Sequence, residues 1–179
     1  LGYSGKEVHQ HKIILKTLFK DSSLGENKEK FTFILPMTHG CSAAYANDVV
    51  NLVKENNATY KLLTKKMTDA EVARLRNATD IILQLSTVDA RSASVIESIL
   101  AGSILISGKW LPYEELRQKQ LYFYELENID ASLPNLILQL SENIDEELNK
   151  CQNNKLKWVA ETWGKVIDNW VAIYDKLSM

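Results

Sequence analysis

The sequence predicts an α/β fold built on a parallel sheet. Short apolar runs alternate with longer stretches of helical periodicity along most of the chain. Several runs are apolar at successive positions, as strands covered on both faces are. Residues that start and stop helices stand between them. Strict alternation implies right-handed crossovers. The expectation is therefore a Rossmann-like, six-stranded parallel sheet with helices on both faces, followed by C-terminal helices.

The elements follow in order. "LGY" reads as a short first strand ending in the turn-prone "SG". "EVHQHKIILKTLF" places Val8, Ile13 or Ile14, Leu15 and Leu18 near helical spacing. "KDSSLGENKEK" is polar and reads as a loop. "FTFILPM" is a strand closed by Pro36. "SAAYANDVVNLVKENN" is a helix, with Ser42 at its N-cap and a stripe of Tyr45, Val49, Leu52 and Val53. "TYKLLT" is the third strand. "TDAEVARLRNA" is a short helix opened by Thr68, with Glu71 three positions later as a capping box. "DIILQLS" and "SILISG" are strands four and five. The helix "SASVIESILAG" lies between them and closes at Gly102. "PYEELRQ" is a helical turn and "LYFYELE" the sixth strand. Two helices finish the chain, near 131–150 and 155–177.

At 179 residues the chain suits one domain, read as 1–150, with 151–179 as an appended amphipathic helix. It is 45% hydrophobic and 25% charged, ordinary for a globular protein with a real core. A formal net charge of -2 leaves no global basic field, which argues against nucleic acid as the main partner. Cys41 and Cys151 match no metal spacing and read as free thiols in a reducing, cytoplasmic setting, including the inner face of a membrane. No apolar run approaches the roughly 18 residues that span a bilayer. The chain opens on "LGYSGKE", without Met and almost inside a strand, which suggests a fragment of a longer protein.

In such sheets ligands bind beyond the carboxyl ends of the strands. The loops there are "SGKE", "PMTHG", "TKKM", "STVDARS" and "GKWLPYEE". "STVDARS" runs into a helix start, where the unpaired N–H groups of Ser92, Ala93 and Ser94 and the helix dipole suit a phosphate. Arg91 beside them could clamp it bidentately. Asp89 precedes this helix and Glu97 lies in its second turn. Acids so placed can flank an elongated ligand and accept bonds from its hydroxyls. The plainer alternative is a solvated loop acid and a helix-surface glutamate.

The stretch "ATDIILQLSTVDARSASVIESILAGSILISGKWLPYEEL" resembles the donor-binding segment of retaining GT-B glycosyltransferases, the large group that carries two acids separated by seven residues. Asp80 matches the acid of the preceding strand, Asp89 the leading acid, Glu97 the second, and Ala101–Gly102 the small pair. The resemblance implies a nucleotide diphosphate sugar as donor, transfer to a carbohydrate or lipid-linked acceptor, retention of configuration, and no metal or other cofactor. It implies that Glu97 holds the ribose and Asp89 faces the sugar. The chain departs from the group in having Asp where Glu is usual and "ARS" for a glycine-rich turn. Arg91 would then compensate for a looser backbone approach. Lys6, with His9 or His11 behind it, stands where the group has diphosphate-binding cations. "FILPMTHGCSAAYANDVV" is also similar to a smaller GT-B group that transfers an amino-fucose.

The remaining candidates are weaker. His39 and Gly40 would line the donor cleft or form a plain turn. Lys65, Lys66 and Met67 stand where the group holds the nucleobase by backbone contacts; solvated charges are the alternative for the lysines. Glu114 matches a late glutamate loosely, and Trp110 and Tyr113 serve as core or as a cover for the cleft. In the tail, Val159, Trp163, Val166 or Ile167, Trp170, Ile173 or Tyr174, and Leu177 share one helical face. That face would pack on its own domain, on the N-terminal acceptor half the resemblance implies, or on a second copy. The expected protein is the donor half of a glycosyltransferase, inactive alone. A non-catalytic nucleotide-binding or assembly module and a nucleotide-sugar epimerase are the alternatives.

Overall fold

The computed structural model of the chain describes residues 1–2, 4–20, 22–89 and 92–159. Its strands are all parallel. β1 (Thr32–Pro36) pairs with β2 (Thr59–Leu63). β3 (Ile81–Gln84) pairs with β4 (Ile104–Gly108), and β4 with β5 (Tyr124–Leu126). The expected single sheet of six strands is thus two sheets, of two and three strands.

The missing strand is the first. Residues 1–2 lie between the sheets and make one bond to each: the Leu1 amino group donates to the Ile34 carbonyl (3.0 Å), and the Gly2 N–H to that of Leu83 (3.1 Å). A ladder cannot continue on either backbone. In parallel register the next bond on the β1 side needs an N–H from Pro36, which has none. Gly2 itself turns the chain away, with φ at +59°.

Helices cover both faces. On one side lie α1 (His11–Lys20), α2 (Ser22–Asn27), α3 (Ala43–Glu55) and α7 (Ser132–Glu142); on the other lie α4 (Asp69–Asn77), α5 (Ala93–Ala101) and the short α6 (Glu114–Gln118). α8 (Ile144–Val159) joins the first core through Cys151 and reaches α5 and the second core through Trp158. The period-2 alternation of β3 and β4 divides the core. Leu83, Ile104 and Ile106 join Ile14, Leu18 and Ile137 on one face, while Ile82 and Leu105 join Val95 and Ile99 on the other. β2 is largely exposed and carries Lys61 outward, as suits an edge strand.

Local signals form as the sequence predicts at three starts and stops. The Ser42 hydroxyl accepts from the Tyr45 N–H at 3.1 Å. Thr68 and Glu71 close a reciprocal capping box. Gly102 ends α5 in the left-handed region, at φ +86°. The stretch read as a polar loop after α1 is instead helical, as α2, because Leu24 inserts into the core and is 1% exposed. The last strand shortens to three residues, since Tyr122 turns its N–H and C=O to the Asn154 side chain of α8.

α8 runs unbroken across residues 150 and 151 and buries Cys151 against the three-stranded sheet. The Tyr122 and Tyr124 hydroxyls both donate to Glu147 (2.5 and 2.7 Å), fastening β5 to this helix. Val159 ends α8, and Trp163 and the later residues of the predicted apolar face lie outside the described residues. Among the described residues no helix is long and apolar enough to cross a membrane.

Candidate functional site

The carboxyl ends of β1 and β3 flank the place where strand order reverses, with β2 outward on one side and β4 and β5 on the other. Open parallel sheets bind ligands at such a point. Three loops converge there. The first, after Gly2, donates from the Gly5 N–H to the His39 carbonyl beyond β1 (3.0 Å). It also accepts at Val8 from the Thr87 N–H beyond β3 (2.8 Å). The Gln10 side chain reaches the Leu85 carbonyl at 2.6 Å.

On the β1 side the structure brings together Lys6, His39 and Gly40. The Lys6 stem lies over Gly40, where a Cβ would fall 2.5 Å from Lys6 Cγ. Gly40 also has φ +67°, so glycine suits it twice over. Lys6 and His39 are exposed at the rim. His9 and His11 lie beneath and are buried. His9 Nε2 is 3.0 Å from the Ser4 hydroxyl, and His11 Nδ1 is 3.3 Å from that of Tyr45. Burial lowers His9 to about 4, against a smaller opposing pull from Asp89; it lowers His11 to about 3. Both rings are therefore neutral supports at physiological pH. His9 sits in the loop whose Gly5 bonds to His39 on the β1 side and whose Val8 bonds to Thr87 on the β3 side, which places it between the two sides of the crevice.

On the β3 side Asp89 is the hub. Its Oδ2 accepts from the Ser92 N–H at the start of α5 (3.2 Å), from Gln84 Nε2 (3.1 Å) and from the Tyr113 hydroxyl. Tyr113 is 1% exposed, so this is a buried contact from the loop after β4. The same loop sends the Trp110 indole N–H to the Ser86 carbonyl (2.8 Å), with its ring stacked over Gly108. Ser92 takes the N-cap position of α5 without a side-chain cap bond, and its hydroxyl oxygen is buried without a hydrogen-bond partner. Ala93 and Ser94 form the first turn, where N–H groups have no acceptor within the helix. Arg91 lies outside the described residues.

Other predicted residues stand apart from this hub. Glu97 is exposed and accepts from Arg76 Nε at 3.3 Å, in an ion pair that joins α5 to α4. It lies five residues beyond Ser92, about 7 Å down the helix axis. Glu114 pairs with Arg117 at 2.8 Å, and Arg117 in turn grips Glu125 and the carbonyls of Lys109 and Leu111. These contacts brace the loop after β4. Lys65 and Lys66 are exposed and Met67 is half-buried, between β2 and α4.

Gln84 and Ser86 were not singled out from the sequence, although both touch the Asp89–Trp110 cluster. Their signal was present: a buried amide that interrupts the apolar run "DIILQLS" needs polar partners. Among the described residues no group of three or more His, Cys, Asp or Glu could hold a metal ion. No known protein family matches this chain, and no curated protein does either.

Proposed function

We propose that the chain is the donor-binding half of a glycosyltransferase that uses a nucleotide diphosphate sugar. The observation that supports it best is Asp89. This acid stands at the carboxyl end of β3, bonded to the first N–H of a helix start and fixed by Tyr113 and Gln84, beside the reversal of strand order. A diphosphate at that helix start would meet unpaired N–H groups and the positive end of the dipole. Those groups, with Arg91 and Lys6, would stabilise the charge that grows on the leaving diphosphate. Asp89, held in one orientation, would position the sugar. No metal is required. The acceptor and any acid–base group it needs would come from an N-terminal acceptor half.

Titration calorimetry with UDP, GDP and dTDP tests this directly. One of them should bind more tightly than about 1 mM, and Lys6→Ala and Glu97→Ala should each weaken it tenfold or more. Binding of none, or indifference to both substitutions, removes the proposal. A second reading, a non-catalytic nucleotide-binding or assembly module, is favoured by the Glu97–Arg76 pair, which engages the second acid with α4. If nucleotide binds and Lys6→Ala weakens it while Glu97→Ala does not, this second reading replaces the first. A transferase assay with the acceptor half present separates them further.

A further inference from the structure

The amino ends of the strands carry a feature that the proposed function does not use. A cavity of about 590 Å³ opens between the amino-terminal parts of β1 and β3, next to Leu1. Its two long walls are Thr32, Phe33 and Ile34 on one side and Asp80, Ile81 and Ile82 on the other. These are strand backbones lying alongside each other without being paired.

The register of residues 1–2 shows what fits. The bond from Leu1 to the Ile34 carbonyl sets Leu1 opposite Leu35, and the bond from Gly2 to the Leu83 carbonyl sets Gly2 opposite Gln84. Continued backward in the same register, three further residues fall opposite Ile34, Phe33 and Thr32 on one wall and Ile82, Ile81 and Asp80 on the other. All six line the cavity. Strand alternation gives the bonds. Odd positions of β1 face β2, as the Met37 N–H donated to Leu63 shows, so Thr32 and Ile34 face the gap. Even positions of β3 face β4, as the Ile104 N–H donated to Asp80 shows, so Ile81 and Leu83 face it too. Apolar side chains stand above and below, Leu18 and Ile137 on one face and Leu75 on the other, and the lining also includes the charged Lys30, Arg76 and Glu142.

We infer that this gap is a strand-binding slot. It takes one extended, apolar polypeptide segment of three residues, parallel to β1 and β3 and joined to the amino group of Leu1. The first residue upstream donates to the Ile81 carbonyl and accepts from the Leu83 N–H. The second donates to the Thr32 carbonyl and accepts from the Ile34 N–H. The filled slot joins the two sheets into one, in the order β2–β1–slot–β3–β4–β5.

The test lengthens the full chain upstream of Leu1 by Val-Ile-Val, by Gly-Ser-Gly, or by Val-Pro-Val, the last removing the N–H due at Thr32 and setting a ring carbon against that carbonyl, which bars the segment from the register. Thermal unfolding and amide exchange are then compared. The Val-Ile-Val form should melt about 5 °C or more above the Gly-Ser-Gly form. Its Ile34 and Leu83 amides should exchange at least about tenfold more slowly than in the Gly-Ser-Gly form, and Val-Pro-Val should lose that slowing at Ile34. Equal melting of the first two forms, or equal Ile34 exchange with and without the proline, overturns the inference. Nucleotide binding is not involved in any of these readouts, so the result is independent of the proposed function.

Discussion

At the carboxyl ends of the strands, loops bond to one another across the reversal of strand order; at the amino ends, β1 and β3 stand apart over a 590 Å³ cavity. The two ends belong to the same strands and differ in what crosses between the sheets. At the carboxyl end the first loop supplies the Gly5, Val8 and Gln10 contacts, and the loop after β4 supplies Trp110 and Tyr113. Among the described residues, 1–2 cross between the strands beside their carboxyl halves, and the amino halves of β1 and β3 face the cavity. A parallel pair separated by one strand's width leaves ladder groups on both walls to be matched. The difference lies in what each end leaves open: helix-start N–H groups at the bonded crevice, where the proposed donor would bind, and unmatched ladder groups at the slot, where the inferred strand would pair.

Substitutions at the carboxyl end should cost most. Asp89→Ala removes the acceptor of three donors, the buried Tyr113 hydroxyl among them. A loss of about 2–3 kcal/mol in denaturant-measured stability is expected. A loss below about 0.5 kcal/mol would show that the hub does not hold the two loops.

Acid should act through the buried histidines. Folded, His9 and His11 are depressed to about 4 and about 3, against 6.5 when unfolded. The unfolded chain therefore takes up protons first as pH falls. This contribution to stability is full above about pH 6.5 and drains away as pH drops toward 4. The double variant His9→Gln/His11→Gln should show a flatter stability curve over that window than the parent. Parallel curves would mean that the rings titrate normally.

Gly40→Ala tests the β1 side of the crevice. The left-handed backbone and the clash with Lys6 together should cost about 1–2 kcal/mol. If the proposed donor site holds, nucleotide binding should weaken alongside, because Lys6 must move. Unchanged stability would show that this turn relaxes freely.

Glu97→Gln is expected to do least, below about 1 kcal/mol, because the carboxylate is half-exposed in its pair with Arg76 and the amide oxygen still accepts from the Arg76 Nε. A bigger effect in chemical denaturation would make the α4–α5 pair a structural tie and weaken its use as a ligand contact.

Much of the fold was legible because its signals are local. The N-cap of Ser42, the capping box of Thr68 and Glu71, and the left-handed Gly102 each depend on a few neighbouring residues, and all three form. The apolar strands gave the parallel α/β class by the same logic. Leu24 misled, since one apolar residue in a polar stretch makes a helix only when a core waits for it. The site was legible as a set of loops. The sequence put Asp89 at a helix start and Lys6, His39 and Gly40 in loops on the same edge of the sheet. It did not show that Gln84, Ser86, Trp110 and Tyr113 knit that edge together, because those contacts join residues up to 24 positions apart.

By itself, then, the order of residues determined most of the strands and helices, the first strand and α2 excepted, and which loops share an edge, because propensity, capping and alternation act over a few positions along the chain. Tertiary structure alone decided that Glu97 pairs with Arg76, that Tyr113 reaches Asp89, and that the sheet divides at residues 1–2. Those outcomes depend on which distant backbones and side chains meet at hydrogen-bonding distance, and packing sets that in three dimensions.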